Sequence, residues 1–413
     1  DIAVLQSPAF ASERAQYRAI LAKYEAEKTA VFPNVSGGAS VQRQYGGIST
    51  RGSVGASPGP TSSPATGGGG GPFTTISGQV SLTQLIYDGG RVIAGIRTAK
   101  ESDIAGHETL IRQLQTLSFS VAQAYYGVLQ ADATVQADVQ LVRQFETQEK
   151  NVAAQIRAGV AARSDVAAAQ FQTAQSRGSL VIAQGELIVA QSLFATTLGL
   201  EPDTLIKPQV AGNPPPRILA YHDAVKTALG TRPDYVAAAH TVESAKENVR
   251  FAKLARFPIL NANASAGYGE TLPTGSPNLA AAQSLGATLT IPIFDQGLTN
   301  FNVAVAVSQL DQANAGLVSS RLTVESDVRA ALADIISTRA ALVQAEAERQ
   351  SGQVNVEAFQ ARYRVGAATI TDLVTAEGAN ATAQRDYVTA IYNERTAEER
   401  YVFALGTSDL RLP

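Results

Sequence analysis

A chain of 413 residues carries 33 basic against 36 acidic side chains, a mildly acidic balance that offers nucleic acid no electrostatic footprint. Cys, Met and Trp are absent, which excludes disulfides, thiolate nucleophiles, Cys-ligated zinc and an acylated N-terminal cysteine. The length admits two or more domains, and no run of about 18 apolar residues marks a bilayer-spanning helix, so a membrane role would require a β-barrel.

The chain does not begin with Met, so residue 1 is not a translation start, as removal of a secretory peptide or trimming would explain. A first helix is expected over residues 8–31, ending at Phe32-Pro33, because proline pushes the residue before it toward extended geometry. Residues 34–87 then hold a β-hairpin. Its first strand, from Val35 to Tyr45, is faint; in the second, Ile76, Gly78, Val80 and Leu82 alternate with Ser77, Gln79, Ser81 and Thr83, the period-two pattern of a strand with one polar face. Residues 52–72 between them are rich in Gly, Ser, Pro and Thr, with successive glycines from Gly67 to Gly71. They lack the Lys-Ser/Thr ending of a phosphate-binding loop and suggest a flexible exposed loop.

A very long helix is expected over residues 89–156. Asp88 occupies the N-cap position, where its carboxylate can accept a first-turn amide, and Gly90 eases the bend from strand to helix. Apolar residues then recur in steps of four and three, from Leu110, Leu114, Leu117, Val121, Ala124 and Val128 to Val152 and Ile156, broken only at Asp138 and Glu149. Such a repeat predicts a left-handed coiled coil, about 100 Å long at the helical rise. The run RAGVAARSDV from Arg157 makes a turn in which Gly159 suits a left-handed C-cap and Ser164 with Asp165 can cap a helix returning to Leu198. Residues 89–199 thus form an antiparallel helical hairpin.

Residues 200–216 hold five of the 17 prolines and are expected to be a linker lying against the long helices. The pattern then repeats: a helix over 217–256 ending at Phe257-Pro258, a hairpin over 259–294, and a helical hairpin over 296–406. In the second hairpin Leu260, Ala262, Ala264, Ala266 and Tyr268 alternate with polar residues, as do Leu285, Ala287, Leu289, Ile291 and Ile293. Asp295 and Gly297 recur 207 residues after Asp88 and Gly90, Gly366 and Asp372 after Gly159 and Asp165, and Leu405-Gly406 after Leu198-Gly199. So large a period means a duplicated half-protein, with repeats over 1–199 and 217–413. The second repeat has about ten residues, near Ile218 to Thr227, with no counterpart before Asp1, so the amino end reads as short.

Strands of roughly ten residues with one polar face suit a tilted membrane strand. Four of them cannot close a barrel, and an open sheet edge in lipid leaves backbone groups unpaired. Several copies are therefore needed, and three would supply twelve strands and twelve helical segments. Two readings compete: a secreted or structural coiled-coil protein such as a filament subunit, and a soluble helical enzyme. Against the latter, no nucleophile, base and orienting group stand together. His107, His222 and His240 share no metal-ligand spacing, and no cofactor is indicated. Tyr125 and Tyr126 fall in the coiled-coil run as packing residues.

The Phe-Pro helix ends, the YDGG and FDQG turns, the doubled Arg-x-Gly tip with its Asp six residues after the glycine, and the closing Leu-Gly pairs together resemble the TolC-like outer-membrane efflux and secretion channels, over essentially the whole chain. The resemblance implies a mixed α and β membrane protein: a homotrimer in the outer membrane of a Gram-negative bacterium, with a twelve-stranded β-barrel in lipid and a coiled-coil α-barrel in the periplasm. It implies a passive exit duct, not an enzyme, docking through its helical tips onto a periplasmic adaptor (a membrane fusion protein) and through that onto an inner-membrane pump or ABC exporter. On this resemblance Asp372 matches a carboxylate that constricts the periplasmic aperture, Asp165 and Ser164 match tip positions that tie helices shut, and Tyr363 matches a partner of theirs. The chain departs from the family at Thr375, where a second aperture carboxylate is expected, and near Ala368, where a basic partner is missing and Arg163 could substitute. Arg157, Gly159, Val160, Arg364, Gly366 and Ala367 would form the adaptor-contacting tip.

Overall fold

The computed structural model describes residues 2–44, 73–158, 162–206, 208–209, 215–272 and 280–407. The expected loop over 52–72 and the tip residues Gly159 and Val160 lie outside the described residues. In chain order the elements are α1 (Ile2–Gln6), α2 (Pro8–Thr29), β1 (Asn34–Gln44), β2 (Phe73–Tyr87), α3 (Arg91–Arg157), α4 (Arg163–Thr197), α5 (Tyr221–Thr231), α6 (Pro233–Leu254), β3 (Ile259–Leu272), β4 (Ala280–Thr290), α7 (Leu298–Arg364) and α8 (Ile370–Leu405). They group into two compact units: residues 22–100 with 244–310, and residues 1–21 with 101–243 and 311–413.

The first unit holds one antiparallel sheet in the order β1-β2-β3-β4, so the pairing of β2 with β3 joins strands from the two repeats. Its register sets Ser36, Ser81, Ser265 and Ser284 in one row across all four strands, and Val35, Leu82, Ala264 and Leu285 in the neighbouring row on the opposite face. Hydroxyl pairs at 2.8 Å join Ser36 to Ser81, Ser40 to Ser77 and Ser265 to Ser284. The apolar face is left uncovered, with Val35, Val41, Val80, Leu285 and Leu289 all exposed. One expectation fails here: β4 ends at Thr290 instead of continuing through Ile293, and Pro292 within that run has no N–H to donate to a ladder.

Both strand-to-helix turns are built alike. The Gly90 and Gly297 amides donate to Oδ1 of Asp88 and Asp295 at 2.9 and 3.0 Å, and the Val92 and Thr299 amides donate to the other carboxylate oxygen. Each Asp thus caps its helix from three residues before it begins, not from the N-cap itself. Two successive residues take left-handed backbone in each turn, Gly89 with Gly90 and Gln296 with Gly297. Space explains why only the first turn needs two glycines: a Cβ on Gly89 would drive into the Phe257 side chain, whereas Gln296 tolerates the same conformation. Gly89→Ala should therefore destabilise this unit by roughly 2 kcal/mol or more. Gln296→Gly should be neutral or mildly stabilising, and thermal unfolding of the two variants checks the contrast.

The second unit is helical. The apolar ladders of α3 and α7 supply its core: Leu110, Leu114, Ala124, Val128, Val142, Phe145 and Val152 on α3, and Val324, Val328, Ala331, Ile335 and Val356 on α7, are all buried. One cluster joins α5, α7 and α8 through Ala224, Ala228, Val328, Ile335 and Tyr401. Another joins α3 to α4 through Val128 and Phe194, with Ile206 of the linker packed against it. The break in the α3 ladder is no gap, because Asp138 is buried and meets Arg385 of α8 at 2.7 Å. Tyr125 packs edge-on to Tyr126 at 5.0 Å.

The helix expected over 217–256 is two helices. Arg232 between them is extended at φ −73 and ψ 119, as proline demands of the residue before it, and Pro233 opens α6, where its missing N–H costs nothing. Pro8 opens α2 in the same way. A second correction concerns α4, which by length and composition is apolar enough to cross a bilayer. Its unpartnered face carries Phe171, Val181, Ile182, Ile188, Val189 and Leu193, all exposed.

Candidate functional site

Apart from the strand-to-helix turns, the described residues expected to be functional gather where α3 and α7 end and α4 and α8 begin, within the helical unit. Val152 of α3, Ala169 of α4 and Ile370 and Leu373 of α8 form a buried cluster, with Phe359 and Tyr363 of α7 against it. Four helices are thus fixed together at this end, and their polar termini are held at defined positions around an apolar centre.

The turn from α7 to α8 closes tightly. Gly366 takes left-handed backbone at φ 71, so that its own N–H donates to the Tyr363 carbonyl at 3.0 Å and that of Ala367 to the Arg362 carbonyl at 2.8 Å. Thr369 then caps α8. The Asp372 N–H donates to Thr369 Oγ1 at 3.2 Å, while the Thr369 N–H and hydroxyl donate to the Asp372 carboxylate at 2.9 and 2.7 Å. This reciprocal pair is a capping box. In the first repeat Ala162 stands at the equivalent cap and has no hydroxyl, so only the return bond forms, from the Ala162 N–H to Asp165 at 3.2 Å. The expected cap Ser164 lies inside its helix instead, as does its counterpart Thr371, and the Ser164 hydroxyl donates to Asp165 at 3.3 Å.

Asp372 is exposed, and the hydrogen bonds from the Thr369 backbone and side chain, with the Arg362 charge further off, hold its carboxyl below the usual range. It therefore remains charged throughout neutral pH. Thr375, a turn further on, donates its hydroxyl to the Thr371 carbonyl at 2.8 Å and adds no charge. Tyr363, Ser164, Asp165, Arg364 and Gly366 line one cleft of about 580 Å³. The Tyr363 hydroxyl is buried there with no hydrogen-bond partner, and burial followed by the Asp165 charge pushes its pKa up. Asp165 and Tyr363 thus line the same cleft. Arg163 is exposed at the start of α4 and forms no ion pair among the described residues. Arg157 ends α3, where a cation complements the helix C-terminus, and its Nε–H donates to the Ala153 carbonyl at 3.4 Å.

Two residues of this region escaped the sequence reading. Thr369 was legible as the first residue of a T-x-x-D capping box. Glu377, buried on α8, was hidden, because no pattern distinguishes a charge on the core face from one on the solvent face. Elsewhere His240 Nδ1 meets Glu101 at 2.8 Å, and no group of three or more His, Cys, Asp or Glu fit for a metal occurs among the described residues.

Set beside known proteins, the chain matches a family model described as outer membrane efflux protein over residues 1–200 and 224–407. It is 23% identical over 326 residues to the outer membrane efflux protein BepC of Brucella suis, covering 77% of this chain and 71% of that one. To the outer membrane protein TolC of Escherichia coli it is 26% identical over 355 residues, covering 80% and 69%. The solved structure of the outer membrane protein VceC of Vibrio cholerae superposes with a TM-score of 0.81 at 18% identity, covering 98% of this chain and 94% of that one.

Proposed function

This chain belongs to the outer membrane efflux protein family and is an outer-membrane exit duct of a Gram-negative cell, not an enzyme, and from that premise we propose how it assembles and closes. Three copies complete the conduit. The observation that carries this is the incompleteness of one chain: β1 and β4 are the outer strands of the sheet, and the apolar stripe of α4 has no partner among the described residues. An unpaired edge in hydrocarbon costs several kcal/mol per backbone group, so like chains must pair edge to edge. The same association covers the α4 stripe, and twelve strands close the barrel.

The tip is the closable end. Three Asp372 carboxylates, charged at neutral pH and presented at the start of α8, repel one another when the tips converge, and a ring of such groups favours cations. Asp165 of α4, supported by Ser164, stands ready to accept the unpartnered Tyr363 hydroxyl of α7, and that bond would tie the two helices when the tip closes. Arg157, Gly159, Val160, Arg364, Gly366 and Ala367 meet a periplasmic adaptor, through which the duct serves an inner-membrane pump or ABC exporter. The test is reconstitution. The purified chain should migrate as a heat-modifiable trimer in unboiled SDS gels, and Asp372→Ala should lower cation selectivity in planar bilayers severalfold. A stable monomer in lipid nanodiscs would overturn the assembly, and unchanged selectivity would overturn the role of Asp372.

A further inference from the structure

Glu377 lies on α8 five residues beyond Asp372, and its residue is only 1% exposed. Neither carboxylate oxygen has a hydrogen-bond partner, and nor does the buried Asn380 Oδ1 one turn on. Glu377 lines a second cleft at the tip, of about 860 Å³, walled by α3, α7 and α8 and rich in amides, among them Gln144, Gln148 and Gln360. The charged or titratable groups facing this cleft are Arg143 from α3 and Tyr363 and Arg364 from α7. Neither arginine forms an ion pair with Glu377. Arg349 of α7 is stacked on the Tyr387 ring at 4.7 Å, and the residues that α4 buries, from Ala169, Thr173 and Ser176 to Ala183, Phe194 and Ala195, are all neutral. The burial is internal to one chain, so assembly cannot hydrate the group.

An unpaired buried carboxylate resolves its cost by taking a proton or by forcing its surroundings to admit water. Burial raises the Glu377 pKa to about 7; the Gln360 amide of α7 approaches and pulls it down, without the length and angle of a full hydrogen bond. The equivalent position of the first repeat, 207 residues earlier, is Gln170, which is exposed. The second repeat thus carries a titratable group where the first carries a neutral one, on the helix whose first turn holds Asp372.

We propose that Glu377 is a proton-operated support of the aperture: protonated, it lets α8 pack against α3 and α7 and keeps the tip closed; ionised, it draws water into the cleft and loosens the start of α8. The sign follows from linkage. A carboxyl raised in the packed state penalises that state fully above its folded pKa and not at all below its unfolded one, so packing weakens as pH rises through the interval from 4.5 to about 7. Asp372 is shifted the opposite way and stays ionised, so it cannot produce the same dependence.

The inference rests on the tip being the closable end of the duct, and two measurements on the reconstituted protein separate the two ideas. Infrared difference spectra of the unmodified chain should show a protonated-carboxyl band that is lost between about pH 6 and pH 8.5 and is absent from Glu377→Gln. In planar bilayers the unmodified pore should open roughly tenfold more at the upper pH than at the lower. Glu377→Gln, which installs the side chain of the first repeat, should stay in the low-pH form throughout. No titrating band overturns the protonation, and a band with superimposable conductance profiles overturns the coupling while leaving the duct intact. Failure of every variant to conduct would instead sink the channel reading on which the inference stands.

Discussion

Arg232→Ala is expected to destabilise the helical unit by roughly 2 to 3 kcal/mol, because it empties the space of a buried side chain and strips the partly exposed Asp234 and Asp327 of their shared cation. The Arg232 side chain is 2% exposed and sits at the α5–α6 junction. It donates to both oxygens of Asp234, at 3.0 and 2.6 Å, and to Asp327 of α7 at 2.9 Å. Its backbone lies so close to Gly406 that a Cβ there would crowd it, while the adjacent Thr231 hydroxyl donates to the Leu405 carbonyl. Arg112 of α3 completes the knot, its guanidinium 3.8 Å above the Phe403 ring and its pKa lowered to about 10, chiefly by burial. One arginine therefore fastens α6, α7 and the end of α8. Lysine offers a single ammonium where a planar fork is needed, so Arg232→Lys should recover less than half of the loss. Heat-modifiability of the assembled protein, followed against temperature, measures both; a loss below about 1 kcal/mol would mean that the pair is effectively solvated.

The second large effect is conditional. Arg385→Ala should cost about 3 kcal/mol or more, because it strands the buried Asp138 carboxylate without its cation. Asp138→Leu combined with Arg385→Leu should restore most of that stability, since leucine continues the apolar ladder that Asp138 interrupts, and replacing a buried pair by apolar residues is often neutral or better. A double variant as unstable as the single one would show that the loss comes from packing of the Arg385 stem. The comparison needs only thermal unfolding of three proteins.

These two sites mark where the sequence was readable and where it was not. The helical ladders were plain because a repeat of 3.5 sustained through Leu110, Val128 and Val152 has no other structural meaning, and every ladder residue checked lies toward the core. The Asp138 break could be seen but not explained, because its partner is 247 residues away and pairing at that separation leaves no local trace. The break at Arg232-Pro233 carries the same signal as Phe257-Pro258, but helical periodicity continues on both sides of it, so the local sequence suggests one helix over 217–256 where there are two. At the tip, Asp165, Tyr363 and Asp372 were found by likeness to a family, and their spacing alone would not have brought them together. Glu377 was invisible, because its significance lies in which of four helices it faces. The apolar run of α4 escaped for a different reason, being interrupted often enough by Gln, Ser and Gly that no uninterrupted stretch betrays it.

The row that joins Ser36, Ser81, Ser265 and Ser284 bears on what a solute meets during transit. A hydroxyl can turn either its hydrogen or its lone pairs outward, so in the proposed trimer, with the apolar face toward lipid, such a ladder on each third of the wall would wet the passage without fixing the orientation of the water beside it. Nothing along it rewards one sign of ion over the other, and a traversing molecule finds no sticky step at that level. Under the proposed assembly, discrimination by charge would then fall to the Asp372 carboxylates.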